Sequence, residues 1–183
     1  RQSDPYFLSL LNKVRENKAD AQTLTELNRR YIPNFQPSKE ERYIRLTTHN
    51  YQAQQINDHE LSLIKERTFN YTAEIVGNFP EYSYPTEETL TLKKGAQIMF
   101  VKNDPSPEKR YYNGMIGEIH SIDTTGFTVR TKESDENIAV FPEEWSNSKY
   151  VLNEETKEIT EEIEGTFKQY PVKLAWAITI HKS

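Results

Sequence analysis

Hydrophobic positions recur first at helical spacing and later, from residue 69 onward, at a period of two. Ser3-Asp4-Pro5 predicts a helix start, because a carboxylate caps free amides and proline suits the first helical position. Apolar residues follow at helical spacing and predict an amphipathic helix to about Asn17. A second helix is predicted from Ala19 to Tyr31.

The stretch RYIRLTTHN predicts a short strand that ends in a polar turn. Strand, turn and helix form an α/β unit, whose ligands bind beyond the carboxyl end of the strand. The turn offers the hydroxyls of Thr47 and Thr48, the imidazole of His49 and the amide of Asn50. These groups could contact a nucleic-acid backbone, or the turn could be structural, with Asn50 as the N-cap of the next helix.

Short strand-like runs separated by Gly, Pro, Asn and Asp occupy much of the remaining chain. They are FNYTAEIVG, TLTLKKGAQIMFV, MIGEIHSI, GFTVRT and NIAVF. A long hairpin is predicted to follow, turning at Glu154 to Lys157, and its acidic run is typical of a solvated face. Closely spaced strands of this kind suggest a small barrel.

An apolar run, VKLAWAITIHKS, closes the chain, and its pattern fits a buried strand or a buried helix. It leads into Thr179, His181 and Lys182, which form a polar cluster or a solvated end. The order of α/β, all-β and one apolar element suggests a β module inserted into an α/β domain. Because the chain also starts at a bare arginine, we expect both ends to lie inside motifs of a longer protein.

A chain of 183 residues is long enough for one domain, or for one domain with a small insert. Its residues are 35% hydrophobic and 28% charged, which is typical of a globular protein. No stretch approaches the roughly 20 apolar residues of a membrane span. The lack of cysteine excludes disulfides and cysteine chemistry and fits a cytoplasmic protein.

The net charge of −5 is concentrated in one segment. Residues 133–164 hold eleven Asp/Glu and two Lys/Arg, whereas the rest of the chain holds 17 Asp/Glu and 21 Lys/Arg. The rest of the chain is therefore mildly basic, which permits phosphate binding without demonstrating it.

Catalytic motifs are missing from the sequence. It has no G-x-x-x-x-G-K-[ST] phosphate loop, no H-E-x-x-H, no G-x-S-x-G and no G-x-G-x-x-G. The four histidines show no metal-ligand spacing. Arg1, followed by Gln2, could aim a guanidinium at phosphate oxygens or lie at a frayed surface end. We therefore predict no self-sufficient catalytic site and no metal ligands in this chain.

Four stretches in order resemble superfamily 1B DNA helicases of the PIF/RecD type. RQSDPYFLSLLNKVREN resembles motif IV, and RLTTHNYQAQQIN resembles the motif that follows it. LKKGAQIMFVKND with YYNGMIGEI resembles the start of the family's 2B insert. YPVKLAWAITIHKS resembles motif V, without the Gln-Gly that usually comes next.

The resemblance implies an α/β fold: a partial RecA-like domain of the P-loop NTPase type, called 2A, interrupted by a small SH3-like β-barrel insert, called 2B. Residues 1–115 and 167–183 would form 2A, and residues 116–166 would form 2B. The upstream RecA-like domain, with the phosphate loop and the Mg-binding acids, would hold ATP.

The resemblance also implies roles for individual residues. Arg1 would be an arginine finger on the γ-phosphate of ATP, with Gln2 in the same nucleotide-binding motif. The single-stranded DNA track would include Thr48, His49, Asn50, Thr179, His181 and Lys182. The parent would be a helicase moving 5′ to 3′ on DNA, and this chain alone would be inactive.

A different class of function stays open from the residues. A β-barrel module could bind protein or single-stranded nucleic acid without a motor, through exposed aromatics such as Tyr111 and Tyr112 near Arg110. The acidic segment of the predicted barrel opposes nucleic-acid binding there. A phosphate loop upstream in the parent gene would distinguish the two.

Overall fold

A computed structural model describes residues 4–38, 41–132, 136–152 and 159–180, except for the side chain of Leu152. The chain divides into two compact units, residues 1–38 and residues 39–183. In the described part of the chain no helix is long and apolar enough to cross a membrane.

The first unit contains α1 (Pro5–Arg15) and α2 (Ala21–Asn28). As predicted, Asp4 caps α1: its Oδ1 accepts hydrogen bonds from the amides of Tyr6 and Phe7 at 3.0 and 3.1 Å. Asp20 caps α2 through the amide and hydroxyl of Thr23. Both predicted helices are confirmed; α1 ends at Arg15 rather than Asn17, and α2 begins and ends two to three residues inside its predicted bounds.

The second unit begins with β1 (Arg45–Thr47) and α3 (Asn50–Leu63). The remaining strands, in chain order, are β2 (Thr68–Thr72), β3 (Glu74–Gly77), β4 (Thr89–Lys93), β5 (Gln97–Phe100), β6 (Ile116–Ile122), β7 (Phe127–Thr131), β8 (Asn137–Val140), β9 (Glu143–Leu152), β10 (Ile159–Gln169), β11 (Val172–Leu174) and β12 (Ala177–Thr179). A 3₁₀ turn, Glu81–Ser83, precedes β4.

These strands form four sheets in the described part of the chain. The largest has the order β11-β5-β6-β7-β8, all antiparallel. A three-stranded sheet, β3-β10-β9, contains the predicted long hairpin, whereas the predicted turn at 154–157 lies outside the described residues. The other two sheets are the antiparallel pair β2-β4 and the parallel pair β1-β12.

The main hydrophobic core lies on the five-stranded sheet and the β2-β4 pair. Its fully buried side chains include Leu92, Ile98, Phe100 and Val129. Tyr71 packs against Tyr170, with ring centroids 4.8 Å apart, and donates its hydroxyl to the carbonyl of Asp123. Burial raises the pKa of Tyr71 to about 12, so the phenol stays a neutral donor at physiological pH.

A second aromatic cluster supports the three-stranded sheet. Phe167 on β10 is fully buried, and its ring lies 4.7 Å from Tyr84, 5.6 Å from Phe79 and 6.2 Å from Trp145. Lys102 lies over the Trp145 ring at 4.8 Å. The hairpin is therefore fastened at its base by aromatic packing.

The predicted mixed α/β fold is confirmed, with far more strand than helix. The closing apolar run, ambiguous by pattern, forms the two short strands β11 and β12. Within the described residues the five-stranded sheet is open, since β11 and β8 do not pair, and no closed barrel occurs. The SH3-like insert and its boundaries remain predictions. The predicted boundary after residue 115 falls between β5 and β6, which pair with each other in one sheet.

Candidate functional site

The polar turn after β1 and the end of β12 lie at one edge of a parallel strand pair. Arg45 is aligned with Ala177, and Thr47 with Thr179. The amide of Ile180 donates to the carbonyl of Thr47 at 3.0 Å. Because parallel strands present their carboxyl ends on the same side, segments more than 120 residues apart meet here.

We call the group formed by Thr47, Thr48, His49, Asn50 and Thr179 the polar edge. Thr179 Oγ1 donates to Asn50 Oδ1 at 2.8 Å. Thr48 Oγ1 lies 2.8 Å from His49 Nδ1, and Thr47 Oγ1 donates to the carbonyl of His49 at 3.2 Å. Thr48, His49 and Asn50 are exposed, whereas the two other threonines are half-buried. The predicted residues Thr48, His49 and Asn50 of one segment are thus brought together with Thr179 of the other.

The prediction that Asn50 caps α3 is wrong. His49 occupies the N-cap position, without a side-chain cap hydrogen bond, and Asn50 is the first helical residue. The amide oxygen of Asn50 is used instead by the Thr179 hydroxyl. The oxygen that a local cap would use to accept a backbone N–H therefore accepts a hydroxyl from a distant part of the chain.

Asn57 is a buried residue of α3 that supports the polar edge by bonding the backbone of β12. The sequence did not lead us to predict this role. The side chain of Asn57 is 6% exposed and makes two hydrogen bonds to Ala177: Oδ1 accepts from the amide at 2.9 Å, and Nδ2 donates to the carbonyl at 3.0 Å. Ala53 and Leu61, four residues before and after it, are the other buried positions of α3. A polar residue on the apolar stripe of a helix was the available signal.

Gln97 on β5 fixes the chain between β11 and β12. Its Nε2 donates to the carbonyl of Ala175 at 2.9 Å and to that of Tyr43 at 3.3 Å. Two buried amide side chains, from α3 and β5, therefore position the short strand β12. This support is needed because a three-residue strand makes few hydrogen bonds of its own.

An exposed aromatic ring lies beside the polar edge. Tyr51 is 60% exposed, and its ring centroid lies 5.6 Å from that of His49. Exposed aromatic rings next to hydrogen-bond donors are the usual platform for unstacked bases. The sequence shows Tyr51 next to the turn, but only the start of α3 determines that it lies beside His49.

Four predicted site residues, Arg1, Gln2, His181 and Lys182, lie outside the described residues. Their roles in nucleotide and DNA binding stay predictions.

The polar edge offers hydroxyl, amide and imidazole groups that can donate or accept hydrogen bonds. Among the described residues no group of three or more His, Asp or Glu could hold a metal ion. The sequence has no phosphate loop.

No family model matches the chain. The protein named "ATP-dependent DNA helicase Pif1" from Psychrobacter sp. is 30% identical to it over 96% of this chain and 33% of the relative. The crystal structure of Bacteroides sp Pif1 in complex with ADP-AlF4 is 34% identical over 99% of this chain and 40% of that one, with a TM-score of 0.85. Bacteroides Pif1 bound to ssDNA matches with a TM-score of 0.68 and 35% identity, over 98% of this chain and 40% of that one.

These matches confirm the resemblance that the four motifs carried. The chain spans about a third to two fifths of the length of these relatives. Both units are included, since the structural match covers nearly every residue of the chain.

Proposed function

The chain is a Pif1-like sequence of helicase superfamily 1B, and from this premise we propose that it forms the second motor region of an ATP-dependent DNA helicase. Its part in that motor would be to hold single-stranded DNA along the polar edge. The relatives carry the name of an ATP-dependent DNA helicase, and one of them is bound to ssDNA.

The observation that carries this proposal is the hydrogen bond between Thr179 and Asn50. Asn50 is exposed, so its amide nitrogen can donate to a ligand while Oδ1 accepts from Thr179. Hydroxyls, amides and backbone N–H groups at a helix N-terminus are donors that phosphate oxygens accept. α3 begins at Asn50, so its free N–H groups add to the donors of the polar edge.

Hydroxyl and amide donors favour a site that must release the strand repeatedly. Their hydrogen bonds to a phosphate oxygen contribute about 1.5–3 kcal/mol each, but they lack the second charge of an ion pair with Lys or Arg. The tyrosine ring beside His49 would add base stacking without sequence preference. Such a surface can hold a strand of any sequence and let it pass, as a translocating motor requires.

The residues outside the described part complete the proposal. His181 and Lys182 would continue the DNA track beyond Thr179. Arg1, with Gln2, would reach the γ-phosphate of ATP as an arginine finger. ATP and Mg would be held by a first RecA-like domain elsewhere in the protein, and travel would be 5′ to 3′, as in the family that the motifs resemble.

A non-catalytic module that binds protein or single-stranded nucleic acid is the alternative. The match to Pif1 structures extends over the helical unit as well as the sheets, which favours the motor.

The deciding experiment is ATP hydrolysis by the full-length protein, with and without single-stranded DNA. We expect DNA to stimulate turnover, Arg1→Ala to lower it by about 10³-fold with ATP still bound, and Lys182→Ala to weaken the stimulation. Gln55→Ala, an exposed change on α3, is the matched control and should leave turnover unchanged. Absence of DNA-dependent turnover in the wild type would refute the motor and favour the binding module.

A further inference from the structure

The hairpin of β9 and β10 carries exposed apolar side chains. Tyr150, Ile159 and Ile163 are 76%, 70% and 65% exposed. Large apolar side chains that are exposed singly are common, but a contiguous group on one face is typical of an interaction site.

The strand register places the three side chains on one face of the hairpin. Tyr150 is paired with Glu161, and Ile159 and Ile163 lie two residues to either side of Glu161 on the same strand. Diagonal neighbours in an antiparallel pair are about 7–8 Å apart, within reach of an aromatic ring. The tyrosine and the two isoleucines therefore lie on one face around Glu161, and we call these three residues the hairpin patch.

One acidic side chain lies within the hairpin patch. Glu161 shares its face with Tyr150, Ile159 and Ile163, and its carboxylate accepts from the hydroxyl of Ser148. Glu162 is paired with Lys149 and lies on the opposite face, because side chains alternate along a strand. Within the described residues Glu161 forms no ion pair, so its charge is left to meet a cationic partner.

We propose that the hairpin patch binds a protein segment that combines apolar side chains with Lys or Arg. The apolar side chains would cover Tyr150, Ile159 and Ile163, and a cation would neutralise Glu161. The sequence around the patch strengthens the choice, since residues 133–164 carry a net charge of −9. That charge repels a nucleic-acid backbone, so this surface serves a different partner from the polar edge.

The base of the hairpin is rigid enough to present such a patch. Phe167 is fully buried against Trp145, and β3 pairs with β10 from Gly165 to Lys168. A preformed face loses little conformational entropy when a partner binds. The inference stands on these contacts and does not depend on the proposed motor function.

Selection from a display library of short random peptides on the full-length protein tests the proposal. We expect the selected peptides to share apolar residues combined with Lys or Arg. Binding should weaken at least about tenfold in the triple variant Tyr150→Thr, Ile159→Thr, Ile163→Thr. Glu161→Gln should weaken binding and reduce its salt dependence.

Threonine is chosen because it suits exposed strand positions, and a urea unfolding curve checks that the triple variant is folded. Val76→Thr, an exposed change on β3 of the same sheet, is the matched control and should bind like the wild type.

Three outcomes would overturn the proposal. The first is a failed selection, in which no peptide is enriched. A selection whose peptides lack basic residues, or bind the triple variant as well as the wild type, counts in the same way. Another is that the triple variant loses affinity for a labelled oligothymidine, which would make the patch a DNA contact. The last is that the wild type dimerises in sedimentation and the triple variant does not, which would assign the patch to a second copy of the chain.

Discussion

Thr179 donates its hydroxyl to the side-chain oxygen of Asn50 at 2.8 Å, across 129 positions of sequence. The bond joins the end of β12 to the first turn of α3. It brings the two polar segments of the chain into one surface.

A double-mutant cycle on this pair measures its contribution to DNA binding. We expect Asn50→Ala and Thr179→Val each to weaken binding of single-stranded DNA by the full-length protein. The double variant should lose less than the sum, with a coupling of about 0.5–1.5 kcal/mol, because each single change already removes the shared bond. Fluorescence anisotropy with a labelled oligothymidine measures this, and purely additive losses would contradict the proposed role of this bond in DNA binding.

Asn57 should be more important for stability than any residue of the polar edge. Asn57→Ala leaves the amide and carbonyl of Ala177 without their side-chain partner in a buried place, at a cost of about 2–3 kcal/mol in the free energy of unfolding. Urea unfolding measures this loss, and the exposed change Gln55→Ala is the control from the same helix. Unchanged stability in Asn57→Ala would mean that β12 is positioned mainly by Gln97.

Asp104 provides a prediction on pH. Burial alone would raise the pKa of this carboxyl, but hydrogen bonds from Ser106 and the amide of Arg110, with the Arg110 guanidinium 3.6 Å away, lower it below its usual value. A lowered pKa in the folded state stabilises the fold above the unfolded value of about 3.9, and this contribution is lost as the pH falls through the folded value.

Asp104→Asn should therefore lower the free energy of unfolding by about 1–3 kcal/mol at neutral pH. The difference from the wild type should shrink as the pH falls below about 4, because the wild-type carboxyl then becomes protonated. Thermal unfolding over a pH series measures it, with the exposed change Glu74→Gln as control. A difference that stays constant across the series would show that shape rather than charge makes Asp104 important.

Gly165 lets β10 pass close to the chain after β3. A Cβ at this position would lie 2.5–2.7 Å from backbone atoms of Asn78, which cannot move aside as a side chain could. We expect Gly165→Ala to lower the free energy of unfolding by about 2–4 kcal/mol.

Gly95→Ala separates steric contact from backbone strain in the same assay. Gly95 has a φ of +84° and nothing within 4 Å of an added Cβ, so alanine there should cost only about 1 kcal/mol through its backbone conformation. Equal losses at the two glycines would remove close packing as the reason for Gly165.

The caps and the short strands of this protein could be predicted because their causes are local. Asp4 and Pro5 start α1 wherever the rest of the chain goes, and alternating apolar residues make β5, β6 and β7 recognisable. The polar residues after β1 were recognised as candidate ligands for the same reason: they follow a strand and precede a helix.

The partners of these elements were not predictable from local pattern. Nothing in the sequence near Arg45 indicates that β1 pairs with β12, and the final apolar run fits a strand or a helix equally well. Asn50 was assigned a cap because the local rule favours asparagine there, whereas in the fold its oxygen accepts from Thr179.

The sequence by itself determined the types of the first helices and of most strands, the acidic hairpin and the polar residues proposed to contact DNA, because side-chain period, caps and charge act over a few residues. Only the tertiary structure decided that Thr47 and Thr179 share an edge, that Asn57 supports it, and that the five-stranded sheet stays open among the described residues. These features depend on hydrogen bonds between segments far apart in sequence, whose geometry exists only once the chain has folded.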